Sequence, residues 1–140
     1  MEKIQFDSGV KSYRINGSGV LRFHPGDPNL YTRFLEAVDK FKALEQELAA
    51  DALEADQILE ALHQADQKMK ALLSWVFGKE NDFDKLLEGV NLLAVADNGE
   101  RVITNLLVAL EPVLLEGAKR CAAQKTQDAK RKAEARRGEE

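Results

Sequence analysis

From Phe34 to Val76 one apolar pattern runs without loss of phase. Phe34, Ala37, Phe41, Leu44, Leu48, Ala55, Ile58, Leu62, Ala65, Met69, Leu72 and Val76 follow one another at alternating steps of three and four residues, with Asp51 as the only polar member of the frame. That spacing puts them on one stripe of an α-helix. Leu35, Val38, Leu53, Leu59 and Leu73 flank the stripe, making it wider than a two-stranded seam requires and suited to a bundle. An unbroken helix over residues 28–77 would be roughly 75 Å long at 1.5 Å per residue. A chain of 140 residues cannot cover that length alone, so an unbroken helix implies oligomerisation. Asp51, among the small residues of ELAADALEAD, marks the alternative, a bend giving a helical hairpin, although no Gly or Pro forces one there.

Residues 1–24 read as extended. Ser12 to Asn16 alternates polar and apolar, Asn16-Gly17-Ser18-Gly19 supplies turn residues, and Val20 to Phe23 runs extended again. This is a β-hairpin pattern, and Ile4 to Phe6 offers a third strand. A lone hairpin is marginal in water, so it must pack on helices or pair with another chain. Pro25-Gly26 ends the second strand, Asp27 is placed as an N-cap, and Pro28 fits the first helical position, where its missing N–H costs nothing. Pro25, Asp27 and Pro28 are therefore expected to form a structural junction.

After the long helical region, Gly78 to Asn81 reads as a loop and Asp82 as the cap of a short helix over residues 83–88, stopped by Gly89. Asn98-Gly99 reads as a turn, and a helix is expected from about Glu100 to Leu110, with Pro112 kinking it or starting the next one. Leu114, Ala118 and Cys121 continue one apolar face. From Ala118 onward eight Lys or Arg face four acids, whereas the whole chain carries a net −4. No large apolar residue follows Ala123, so residues 124–140 are expected to be a solvated helix or a flexible tail. The expected architecture is mainly α with a small N-terminal β-hairpin, then a long helix or helical hairpin, then a C-terminal helical bundle segment. Residues 1–123 form one domain: a hairpin unit at 1–24, a helical region at 28–77 and C-terminal helices at 82–123.

Little in the sequence points to catalysis. His24 and His63 lie in different elements, and Cys121 is the single cysteine. No zinc site, internal disulfide or local nucleophile motif follows from these residues. Gly17-Ser18-Gly19 stands between two strands, not before a helix, so it reads as a hairpin turn and not a dinucleotide loop. Asp97 to Glu100 is too short for a calcium loop. No enzyme, metal or cofactor is expected. The basic residues of the tail are interspersed with acids and lack aromatics, so nucleic acid is not an expected partner. The start MEKIQFDSG lacks the apolar core of a secretory signal, and no run of apolar residues is long enough for a membrane span. A cytoplasmic protein is expected.

The stretch YRINGSGVLRFHPGDPNLYTRFLEAVDKF, residues 13–41, resembles the opening of small proteins encoded in the tail-gene modules of bacteriophages and prophages of Gram-positive bacteria. Phe23, Pro25, Asp27, Asn29, Tyr31, Arg33 and Phe34 carry the match. The family is similar to the tail assembly chaperones encoded near the tape-measure gene. The resemblance implies a protein of the bacterial host cytoplasm that multimerises, keeps the tape-measure protein soluble and helps recruit tail-tube subunits. Its expected contact surface is the apolar stripe: Phe34, Phe41, Leu44, Leu48, Ile58, Leu62 and Met69, with Trp75 and Phe77 at the helix end. The alternative is a structural virion component, a regulatory helical protein, or a secreted helical partner. Trp75-Val76-Phe77-Gly78 resembles the W-x-G turn of small type VII secretion substrates with one residue inserted.

Overall fold

The structure is a computed structural model that describes residues 1–17, 19–50 and 52–138. Ser18 of the expected turn, Asp51 of the expected bend and the last two residues lie outside the described residues. The elements are β1 (Lys11–Ile15), β2 (Gly19–Phe23), α1 (Pro28–Ala50), α2 (Ala55–Phe77), α3 (Phe83–Leu86) and α4 (Val102–Gly138). The chain is mainly helical, with a small N-terminal hairpin and a long C-terminal helix.

Strands β1 and β2 pair antiparallel, with Lys11 opposite Phe23 and Ile15 opposite Gly19. Their inner face puts Tyr13, Ile15, Leu21 and Phe23 toward the helices. A chain of aromatic contacts carries this packing onward. Tyr13 stacks on Phe23 at 4.9 Å between ring centroids, Phe23 meets Phe77 edge-on at 4.9 Å, and Phe77 lies 5.6 Å from Phe83. These separations suit favourable ring pairs. The expected third strand does not form: among the described residues the sheet has two strands, and residues 4–6 have no regular secondary structure.

The junction after β2 is a joint built residue by residue. Asp27 Oδ1 accepts the Asn29 N–H at 2.9 Å, and the Asp27 carbonyl accepts the Tyr31 N–H at 3.1 Å, so Asp27 caps α1 just ahead of Pro28. Arg33 donates through Nε (3.2 Å) and Nη2 (2.9 Å) to the Val76 carbonyl, satisfying the C-terminal end of α2. Phe23 and Phe34 are in the core. Asp27→Ala should cost about 0.5–2 kcal/mol in chemical denaturation, and Asp27→Ser should restore most of it. Equal loss in both variants would require a role for the carboxylate beyond capping.

The long stripe is folded back on itself. Helices α1 and α2 have 23 residues each, about 35 Å apiece at 1.5 Å per residue, and they pack side by side. An unbroken 28–77 helix is therefore excluded. The break needs neither Gly nor Pro, because α2 begins with its own capping box. The Glu54 N–H donates to Gln57 Oε1 at 3.1 Å, and the Glu54 side chain in turn faces the Gln57 N–H. Ala37 and Phe41 of α1 and Ala65, Met69, Leu73 and Val76 of α2 are buried in the common core.

Helix α3 is a single turn, capped by Asp82 Oδ1 on the N–H groups of Asp84 (3.0 Å) and Lys85 (3.2 Å). It ends two residues earlier than expected, because Glu88 takes a left-handed conformation at φ 55° ahead of Gly89. The segment 90–101 then lies against α2. Asp66 Oδ1 accepts the Leu92 N–H at 2.8 Å, and Asp66 Oδ2 holds Lys70 Nζ at 2.9 Å. The Lys70 ammonium also reaches Asp84 Oδ1 at 2.7 Å. Burial works against that ammonium, but its hydrogen bonds and charge pairing with Asp84 and Asp66 outweigh burial and hold its pKa above the usual lysine value.

Helix α4 runs through Pro112 to Gly138, so no new helix starts at Pro112, and of the two readings of residues 124–140 the helical one holds as far as Gly138. Leu110 and Leu114 pack on the core from either side of the proline, which keeps the two halves in one phase. Gly117 is the last buried residue, and beyond Ala118 every described residue is exposed. The basic tail is thus a solvated continuation of α4. Among the described residues no helix is long and apolar enough to cross a membrane.

Candidate functional site

Two clefts flank the α1–α2 seam. On one flank Glu45, Leu48 and Ala49 of α1, with Leu53, face Ile58 and Leu62 of α2, and Leu93 and Arg101 close over them around about 220 Å³. The segment 90–101 is pinned here, since Asn91 Nδ2 donates to the Leu62 carbonyl at 3.2 Å. On the other flank no described residue outside α1 and α2 lines the seam. Lys40, Ala43, Leu44 and Glu47 of α1 and Lys68, Ala71 and Leu72 of α2 line an open groove of about 520 Å³.

The groove follows from helix geometry. Lys68, Ala71, Leu72 and Trp75 are three or four residues apart and share one face of α2, as Lys40, Ala43, Leu44 and Glu47 do on α1. Ala43 and Ala71 leave the floor low, so another backbone can come close. Leu44 and Leu72 make it apolar, and Lys40, Lys68 and Glu47 set charges on its rim. Trp75 stands beside it, 44% exposed, with Lys40 Nζ 5.3 Å from its ring centroid. That is within cation–π range. An apolar trough with charged edges is suited to the apolar face of a helix.

The structure divides the residues expected from sequence. Phe34, Phe41, Met69 and Phe77 are in the chain's own core and are not at the surface. Folding the stripe back on itself turns its α1 half against its α2 half, which buries Phe34, Phe41 and Met69, whereas Phe77 is covered by Phe23 of β2 and Phe83 of α3. Leu44 lies in the open groove, whereas Leu48, Ile58 and Leu62 line the opposite cleft. Trp75 is exposed and Phe77, two residues on, is buried. The helix end is therefore half core and half surface. Pro25, Asp27 and Pro28 remain together at the joint and line a separate cleft with Gly117, Arg120 and Cys121. Sequence reasoning missed Ala43, Ala71, Lys40 and Lys68. Their signal was an alanine next to each of Leu44 and Leu72, a pattern that reads as ordinary helix until the two helices are paired.

Neither histidine is in the groove: His24 Nδ1 accepts the Gly26 N–H at 2.9 Å, and His63 is exposed on α2. Among the described residues no group of three or more His, Cys, Asp or Glu is placed to hold a metal. Comparison with protein-family models, curated proteins and solved structures finds no match to this chain.

Proposed function

We propose that this protein is a non-enzymatic chaperone of phage tail assembly, which multimerises and holds apolar helical segments of a tape-measure protein in the groove between α1 and α2. One observation carries the reading: the groove flank of the helical hairpin is apolar and, among the described residues, lined by α1 and α2 alone. A helix laid there would complete the burial of Leu44 and Leu72, which are already half-buried, so each contributes only part of the about 1.5–3 kcal/mol of a fully buried side chain. The charged outer faces of the hairpin keep the complex in solution. The identity of the client and the recruitment of tail-tube subunits rest on the resemblance of residues 13–41 to tail-module proteins. The chain's single tryptophan gives the test. Titration with a synthetic amphipathic helix from the tape-measure protein should shift Trp75 emission to the blue, and Leu44→Asp with Leu72→Asp should remove the shift. Unchanged emission from wild type under saturating peptide would exclude this groove as the binding site.

A further inference from the structure

The β-hairpin has one closed edge and one open edge. Asn81, which is buried, does the closing: its Oδ1 accepts the Arg22 N–H at 3.0 Å and its Nδ2 donates to the Arg22 carbonyl at 2.9 Å. A single side chain thus takes the place of a neighbouring strand along β2. Because both polar groups of Arg22 face away from β1, the antiparallel alternation makes Ser12, opposite Arg22, face away on the far side, and Arg14 with it. Among the described residues Ser12 and Arg14 make no backbone hydrogen bond outside the hairpin. An unpaired edge of this kind is a template for strand addition.

Beside that edge lies an open cleft of about 400 Å³ between β1 and α4, lined by Lys11, Tyr13, Pro112, Val113, Glu116 and Arg120 among others. The chain also carries a segment of matching character. Residues 1–7 alternate, with Ile4 and Phe6 two apart on one side and Lys3, Gln5 and Asp7 on the other. Ile4 is 91% and Phe6 81% exposed, so the arm touches almost nothing of its own chain. We infer that the N-terminal arm of a second copy adds as a third strand to the free edge of β1, its Ile4 and Phe6 entering the cleft between β1 and α4.

Charge agrees with that placement. Glu2 shares the side of Ile4 and Phe6, and Lys11 and Arg120 stand on the rim of the cleft to meet it, while Lys3 and Asp7 remain on the solvent side with Gln5. A mutual exchange is isologous, each copy giving an arm and receiving one. Two Phe6 rings alone then take about 300–500 Å² out of water, a quarter or more of the ~1,200 Å² at the lower bound of a specific interface. The interface is independent of the α1–α2 groove, so either can exist without the other.

Cross-linking of the full chain tests this. In a Cys121→Ser background, one population carries Gln5→Cys and another carries Ser12→Cys or, one register on, Arg14→Cys. These positions share the solvent face of the proposed three-stranded sheet. Oxidation of the mixture should give a disulfide dimer that mass spectrometry assigns to position 5 of one chain and position 12 or 14 of the other. Adding Phe6→Asp to the first population should lower the yield at least tenfold, and Leu72→Asp should leave it unchanged. Absence of the mixed link would overturn the proposal. So would a chain carrying both cysteines that closes on itself as a monomer, since the arm would then serve its own edge.

Discussion

Gly117→Ala should destabilise the protein by about 3 kcal/mol, the upper end of the usual cost of overpacking. Helix α4 crosses the β2–α1 joint at Gly117, and a Cβ built there would overlap the Pro25 carbonyl and lie 2.9 Å from the Gly26 Cα. Both partners are backbone, so no side chain can swing aside to make room. The joint is itself fixed by the Asp27 cap, which leaves displacement of α4 as the only relief. For a chain of this size such a loss corresponds to a fall of about 10 °C in melting temperature. Gly138→Ala, in the same helix with nothing near it, should change the melting temperature by less than a degree or two. Equal effects at the two positions would show that α4 does not cross the joint at Gly117.

Asn81→Asp should be at least as damaging at neutral pH. The Asn81 amide donates to the Arg22 and Phe77 carbonyls, both at 2.9 Å, and its side chain is buried. An aspartate of the same shape turns those two donors into a carboxylate oxygen facing two carbonyl oxygens. Leaving an uncompensated buried charge costs about 3–5 kcal/mol. Burial and the facing carbonyls raise the pKa of the new carboxyl in the folded state, so the folded protein gains protons more readily than the unfolded chain. The deficit should therefore shrink as pH falls through the folded-state pKa and be largest above it. Urea melts of both proteins at neutral and mildly acidic pH measure this directly. A deficit that does not depend on pH would place the side chain outside the core.

Much of this architecture is legible in the chain. Asp27-Pro28 marks the start of α1 because capping and a missing N–H are local chemistry, written in two adjacent residues. The stripe from Phe34 to Val76 is legible because helix periodicity repeats over many turns. The fold-back was harder to read: Glu54 and Gln57 stop and restart the helix with side-chain hydrogen bonds, using residues equally at home in a helix interior. At Pro112 the two readings, a kink or a new helix, could not be separated from sequence; Leu110 and Leu114 on either side of it pack on one core, and a single helix continues across. The groove was the least legible part. Periodicity identifies an apolar face, but Phe41 and Leu44 belong to the same pattern, and only the pairing of α1 with α2 sends one to the core and the other to the surface. Asn81 gave no signal at all, because its strand-like role joins residues 59 apart in sequence.

The proposed binding groove is tested most directly by co-expressing the tape-measure protein with the full chain, with the Leu44→Asp/Leu72→Asp variant, and with a chain ending at Gln124, each first shown to be folded by circular dichroism. If apolar contact in the α1–α2 groove holds the client, wild type and the shortened chain should both retain it at low and at high salt, and the groove variant should lose it. Contact through the basic end of α4, around Lys130, Arg131 and Lys132, would give the opposite pattern. The groove variant would keep the client, while either removal of the tail or high salt would release it, and that result would contradict the account.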